Sequence, residues 1–360
     1  MNPTSQEFAI DELAIPATLD SPGAADFAAT VEVRNAVEAA ALGTGELAPS
    51  VEILLANWND PYDPKRLFVA RVDGRIVARG MLGLPMEEGS VVAWCIAEVL
   101  PEFEGRGIGT GLMEVVEAEA TKAGRTTLQS FAVHAPGTGE LLPSPTGFGA
   151  VPRGNREVRF LLDRGYALEQ IERYSRFELD GTEARIARFR ADSEAAAGSD
   201  YRYLEWTGDT PEQYLTAMGD LTARMATDAP SADMDIDEEI WDAARVRDRD
   251  ARLRAGGLTQ LWAVAEHIPS GELVAMSGLE VSENLSMAVN QADTLVRADH
   301  RGHRLGMLVK AGNLQQLRRV YPDRGVVATF NAEENRPMLQ VNEDLGFVPA
   351  GYYGNWKKVV

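Results

Sequence analysis

Two short segments hold the residue types that grip an anionic ligand. Glu104-Gly105-Arg106-Gly107-Ile108-Gly109 and Arg301-Gly302-His303-Arg304-Leu305-Gly306 each follow a strand-like run and open an amphipathic stretch. The first N–H groups of a helix have no partner within it, and its dipole favours negative charge there. Glycines at such a turn let the backbone approach a phosphate, so the first segment reads as a pyrophosphate cradle. The first is no dinucleotide fingerprint, because the third glycine of that pattern would fall at Thr110 or Leu112. A phosphate loop needs Gly-Lys-Ser/Thr, which is absent. Carboxylates stand near both turns. Glu98 precedes Val99 in the first half, while Glu280 and Asp293 flank the corresponding region of the second. Burial can lift such a carboxyl group toward the working pH of a general base.

The elements that must position these residues run in the same order twice. In the first half, helices are expected over Ala24 to Leu42 and near Val51 to Trp58. RLFVARVDGRIVARGMLGL then reads as a hairpin about Asp73-Gly74, a pair that tolerates positive φ. A third strand, SVVAWCIAEVL, leads into the first glycine turn. The following helix carries Leu112, Val115, Val116 and Ala120 on one face. A strand, a short helix closing at Gly165 and the strand YSRFEL complete the half. The second half repeats strand, helices, a strand pair about Pro269-Ser270-Gly271, strand, turn and helix, and ends on the strand YYGNWKKVV. The turn glycines Gly109 and Gly306 are 197 residues apart, and the helix-ending glycines Gly165 and Gly346 are 181 apart. The difference fits an insertion in the first half, and HAPGTGELLPSPTGFGAVPRGN is rich enough in Gly and Pro to stay out of the sheet. Expected are a domain over 1–180, a helix-containing connector over 181–200 and a domain over 201–360.

Composition narrows the function classes. At 360 residues the chain exceeds one ordinary core, and 45% apolar residues supply material for two. A formal charge of −20 repels nucleic acid and anionic membrane, and attracts a cationic substrate such as an amine. One cysteine, Cys95, excludes an internal disulfide, and four scattered histidines lack the spacing of a zinc site. No metal is expected. The N-terminus has no basic region followed by an apolar core, and no apolar run reaches the roughly 18 residues of a membrane span. The chain reads as soluble and cytoplasmic. Its oligomeric state, monomer or homodimer, stays open.

The combination resembles the GNAT family of N-acetyltransferases, whose signature is Arg/Gln-x-x-Gly-x-Gly/Ala after a strand ending in Val-x-Pro. Val99-Leu100-Pro101 precedes the first turn, which keeps Gly107 and Gly109 but has Glu104 in the leading place. Val296 precedes the second, which keeps Arg301 and Gly306 but has Arg304 for the first glycine. TFNAEENRPMLQVNEDLGF is similar to the family's second cofactor motif. The resemblance spans nearly the whole chain twice, in an order like that of tandem actinobacterial-type members such as mycothiol synthase. It implies an α/β fold of two tandem GNAT-like domains, each a mixed, mostly antiparallel sheet flanked by helices, with acetyl-CoA as acyl donor. It also implies cofactor contacts from Val99, Gly105, Arg106, Gly107, Ile108 and Gly109 in one domain. In the other they come from Leu295, Val296, Arg301, Gly302, His303, Arg304, Leu305, Gly306, Asn331 and Asn335. The family's thiolate acid is a tyrosine at the place held here by Asn342 and Leu161, and an asparagine can donate a hydrogen bond but no proton. Asn342, Glu280, Asp293 and Glu98 are the candidate catalytic residues. The second domain, which keeps both halves of a cofactor site, is the favoured catalytic one, acting on a small primary amine. The rival expectation is a non-catalytic acyl-CoA binding or sensing protein.

Overall fold

Elements form where the apolar spacing demands them. The computed structural model describes residues 8–137, 139–228 and 230–360. Residues 1–7 of the expected first domain and their bearing on a signal segment, residue 138 of the expected insertion and residue 229 of the acidic stretch lie outside the described residues. In chain order come β1 (Ala9–Leu13), α1 (Ala24–Leu42), α2 (Val51–Trp58), β2 (Lys65–Val72), β3 (Arg75–Gly83), β4 (Val92–Val99), α3 (Ile108–Lys122), β5 (Thr127–His134), β6 (Leu141–Pro143), β7 (Ala150–Pro152), α4 (Arg156–Asp163) and β8 (Ala167–Glu178). There follow α5 (Glu183–Ala197), β9 (Tyr201–Thr207), α6 (Leu215–Asp228), α7 (Ala243–Ala255), β10 (Leu258–His267), β11 (Glu272–Ser282), β12 (Val289–Val296), α8 (Leu305–Val320), β13 (Val326–Ala332), α9 (Arg336–Leu345) and β14 (Val348–Val359).

Two units result, and neither is one continuous stretch. The first comprises the described residues up to Ile171, with Ala232–Asp237 and Tyr352–Val360; the second comprises Glu172–Ser231 and Glu238–Gly351. In the first unit β1 to β4 form an antiparallel meander, and β4 runs parallel to β5. The β2–β3 turn puts Asp73 at φ 50° and Gly74 at φ 82°, the left-handed pair a two-residue hairpin requires. Ile108, Leu112, Met113, Val116 and Ala120 make the buried face of α3, packed with Leu82, Cys95 and Leu128. Burial raises the Cys95 thiol to about 12, as suits a core residue. The second unit repeats the plan. β9 to β12 are antiparallel, β12 runs parallel to β13, and Leu314 and Leu317 of α8 pack with Leu261, Leu279 and Val327.

The closing strands depart from the sequence-based division. Glu172–Glu178 of β8 pairs antiparallel with β13 in the second unit, while Tyr352–Val359 of β14 pairs antiparallel with β5 in the first. YSRFEL and YYGNWKKVV thus each close the other half's sheet. Local pattern announces a strand but not its partner, and sequential neighbours pair only about two-thirds of the time. The expected connector is mostly α5, which packs on α8 and buries Ile186 in the second core. Apart from His134, which ends β5, the described residues of the insertion stay out of the main sheets and form a hairpin of β6 and β7. Part of the acidic stretch is held in the first unit, where the Gln129 amide donates to Asp235 O and accepts from Asp235 N–H. No described helix is long and apolar enough to cross a membrane.

Candidate acyl-coenzyme A clefts

Each unit opens a cleft where its parallel pair parts. β12 and β13 pair over only three positions, Val289–Val327 to Gln291–Thr329, and then diverge. Residues 292–296 and 330–332 line a cavity of about 900 Å³. β4 and β5 likewise pair from Val92–Thr127 to Trp94–Gln129, and the parted ends line about 660 Å³. A strand released from its neighbour offers backbone N–H and C=O groups to a ligand.

The glycine turns sit at the mouths of these clefts. Gly105 and Gly107 have φ of 72° and 82°; Gly302 and Arg304, which stand 197 residues on, have φ of 90° and 56°. The two turns therefore share one backbone path, with α3 and α8 starting at its end. Arg304 holds a left-handed conformation that costs a non-glycine residue about 1–2 kcal/mol. Its cation is what the strain retains. The second turn carries Arg304 and Arg301, the latter 3.8 Å from Asp228, while in the first Glu104 pairs with Arg156 and Arg106 lies over Phe103 at 4.8 Å. Arg304→Gly is expected to leave the melting temperature unchanged or raise it, while weakening acetyl-CoA binding about three- to tenfold. Calorimetric titration beside a thermal melt checks both.

Two half-buried carboxylates share the second cleft. Glu280 on β11 accepts from Asn290 Nδ2 at 2.9 Å, and Asp293 lies along β12. Desolvation raises both carboxyl groups above their ordinary range. Like charge on Asp293 adds to the effect at Glu280, against the Asn290 bond and Arg249. Asn331 and Asn335 line the same cavity. Asn335 also caps α9, accepting from Met338 N–H at 3.4 Å.

The acetyltransferase (GNAT) family model matches residues 35–139. The whole chain superposes on a tandem GNAT protein from the clavulanic acid biosynthesis pathway, with 25% identity, 98% of each chain covered and a TM-score of 0.73. The chain has the tandem GNAT architecture. A GCN5-related N-acetyltransferase from Sphaerobacter thermophilus shares the fold at 15% identity, 99% and 96% coverage and TM-score 0.61. So does the glucosamine N-acetyltransferase region of a fungal multi-domain β-N-acetylglucosaminidase, at 14% identity and TM-score 0.58, covering 98% of this chain and 38% of that one. No curated protein sequence matches. The GNAT fold is that of acyl-CoA-dependent acyltransferases.

Most of the expected cofactor residues meet in the two GNAT clefts. Val99, Gly105, Gly107, Ile108 and Gly109 line the first, and Leu295, Val296, Arg301, Gly302, Arg304, Leu305 and Gly306 line the second. Arg106 and His303 do not. His303 packs on Tyr201, with ring centroids 5.1 Å apart. Asn342 is also set back, with its amide oxygen accepting from Lys310 and its nitrogen donating to Asn331. Glu98 reaches the first cleft in an ion pair with Arg79. Beside it, Glu38 of α1 accepts from Arg34 Nη1 and Nη2, at 2.7 and 2.8 Å, and from Tyr353 Oη at 2.8 Å. Sequence reasoning missed this ionic cluster. Tyr353 comes from β14, which pairs with β5 in the first unit.

Proposed function

We propose that this protein is an acetyl-CoA-dependent N-acetyltransferase for a small primary amine, with transfer in the C-terminal cleft. The observation that carries the reading is the meeting of a cationic turn, two asparagines and two proton-hungry carboxylates in one cavity. The turn holds the pyrophosphate, and Asn331 and Asn335 receive the pantetheine arm. Either Glu280 or Asp293, or the two as a coupled pair, takes the proton from the attacking amine. The carboxylates along this cleft, among them Glu172, Asp228 and Asp344, favour an acceptor that arrives as an ammonium ion. Acetyl-CoA as donor is supported by the tandem GNAT relative, described in its form without acetyl-CoA.

In the first cleft, Glu98 and Glu38 are committed to arginines, which suits binding without turnover. A second reading, a non-catalytic acyl-CoA binding protein, is favoured by Asn342 and Leu161 standing where the resemblance expects a tyrosine acid. The two readings part in an assay of free-thiol release from acetyl-CoA over a panel of primary amines. An enzyme releases thiol with at least one amine. Its rate climbs with pH as the raised carboxyl groups ionise, because only the ionised form accepts a proton. Binding of acetyl-CoA with no thiol release across the panel favours the second reading.

A further inference from the structure

Lys310 of α8 is 1% exposed, and among the described residues no carboxylate pairs with it. Its Nζ donates to Asn342 Oδ1 at 2.5 Å and lies 5.3 Å from the Phe347 ring centroid. Asn342, also 1% exposed, donates through Nδ2 to Asn331 Oδ1 at 2.7 Å. Asn331 faces the C-terminal cleft.

The chemistry of the buried end sets the direction of this chain. Burial lowers the Lys310 amine to about 7; in its ammonium form it has donors only, and the Asn342 oxygen then faces it. The Asn342 amide nitrogen is then turned to Asn331, whose oxygen is occupied in turn. What remains at the cleft is the Asn331 amide nitrogen, a donor. Either amide alone could flip at little cost. Anchored by Lys310, neither can.

The other half of the molecule shows that the fold does not need this arrangement. The turn spacing places Met113 at the position of Lys310, and the spacing of the helix-ending glycines places Leu161 at that of Asn342. The parallel-pair registers place Phe131 at that of Asn331. All three line the first cleft, and Met113 and Leu161 are buried. Burying a cation away from water carries a desolvation cost that an apolar side chain does not.

We propose that Lys310 is a positioning residue, which through Asn342 fixes Asn331 as a hydrogen-bond donor to a carbonyl of the pantetheine arm or the thioester. This rests on the reading of the C-terminal cleft as an acetyl-CoA site. The test uses protein carrying Gly109→Glu, so that binding reports the C-terminal cleft. Two probes are titrated: acetyl-CoA, and adenosine 3′,5′-bisphosphate, which has no pantetheine arm. Lys310→Met is expected to weaken acetyl-CoA about tenfold, the worth of one oriented hydrogen bond, and to leave the bisphosphate within about twofold. Lys310→Gln, whose amide can either donate to Asn342 or accept from it, no longer fixes the direction and recovers only part of the loss. Should Lys310→Met fold poorly, the Lys310→Met/Asn342→Leu double variant takes its place, since that pair already packs in the first unit. Unchanged acetyl-CoA binding, or an equal loss for both probes, overturns the role of Lys310 alone. A Gly109→Glu parent that binds no acetyl-CoA overturns the site and this inference together.

Discussion

Glu280→Gln is expected to slow acetyl transfer by about 10²–10⁴-fold while acetyl-CoA binding stays within about twofold, the range of a lost general base. The amide keeps the shape of the carboxyl group and can still meet Asn290, but accepts no proton at the rate-limiting step. Asp293→Asn tests the neighbour. If the pair acts as one base, each variant loses most of the rate and the double variant loses little more. Stability moves the other way. A carboxyl group raised by desolvation holds its proton more tightly in the folded chain than in the unfolded one. It therefore opposes folding above the unfolded value and ceases to do so in acid. Glu280→Gln should melt higher than wild type near neutral pH, with the gap closing as pH falls. A variant that loses both activity and melting temperature would show that Glu280 serves the fold.

Gly306→Glu is expected to weaken acetyl-CoA at the C-terminal cleft by about a hundredfold or more. A carboxylate at the start of α8 opposes the pyrophosphate where the turn and the helix dipole attract it. The site suits the substitution: a Cβ there meets only Val296 Cγ2, at 3.5 Å, and the backbone is not left-handed. Gly109 is its match in the first unit, with Val99 Cγ2 at 3.4 Å. Gly107 is a poorer choice, since any side chain at φ 82° is strained whether or not a ligand binds. The matched pair thus separates the two clefts with one chemical change. Isothermal titration reports the loss as a missing binding event in each variant.

Much of this was legible in the residues. The turns declared themselves through glycine spacing, and the 197-residue offset recurs in backbone angles as well as in letters. Glu280 and Asp293 could be picked by their nearness to the second turn; that both lose water in the cleft wall is a property of the packed sheet. The exchange of β8 and β14 had no local signal, because pairing partners are chosen across the whole chain. The burial of Lys310 has no local signal for a related reason. A lysine within a helix ordinarily reads as solvated, and burial is decided by what packs over it. One signal did exist: laying the two halves on each other puts Lys310 on Met113, a core position. The resemblance places Asn342 where a tyrosine acid stands, but its amide nitrogen donates to Asn331.

The central claim is that the C-terminal cleft, and not the N-terminal one, carries out transfer. Thiol release from acetyl-CoA with an accepted amine, measured side by side in Gly109→Glu and Gly306→Glu proteins, tests it most directly. The account predicts release near the wild-type rate in the first and none above background in the second. Release that survives Gly306→Glu and vanishes with Gly109→Glu contradicts it.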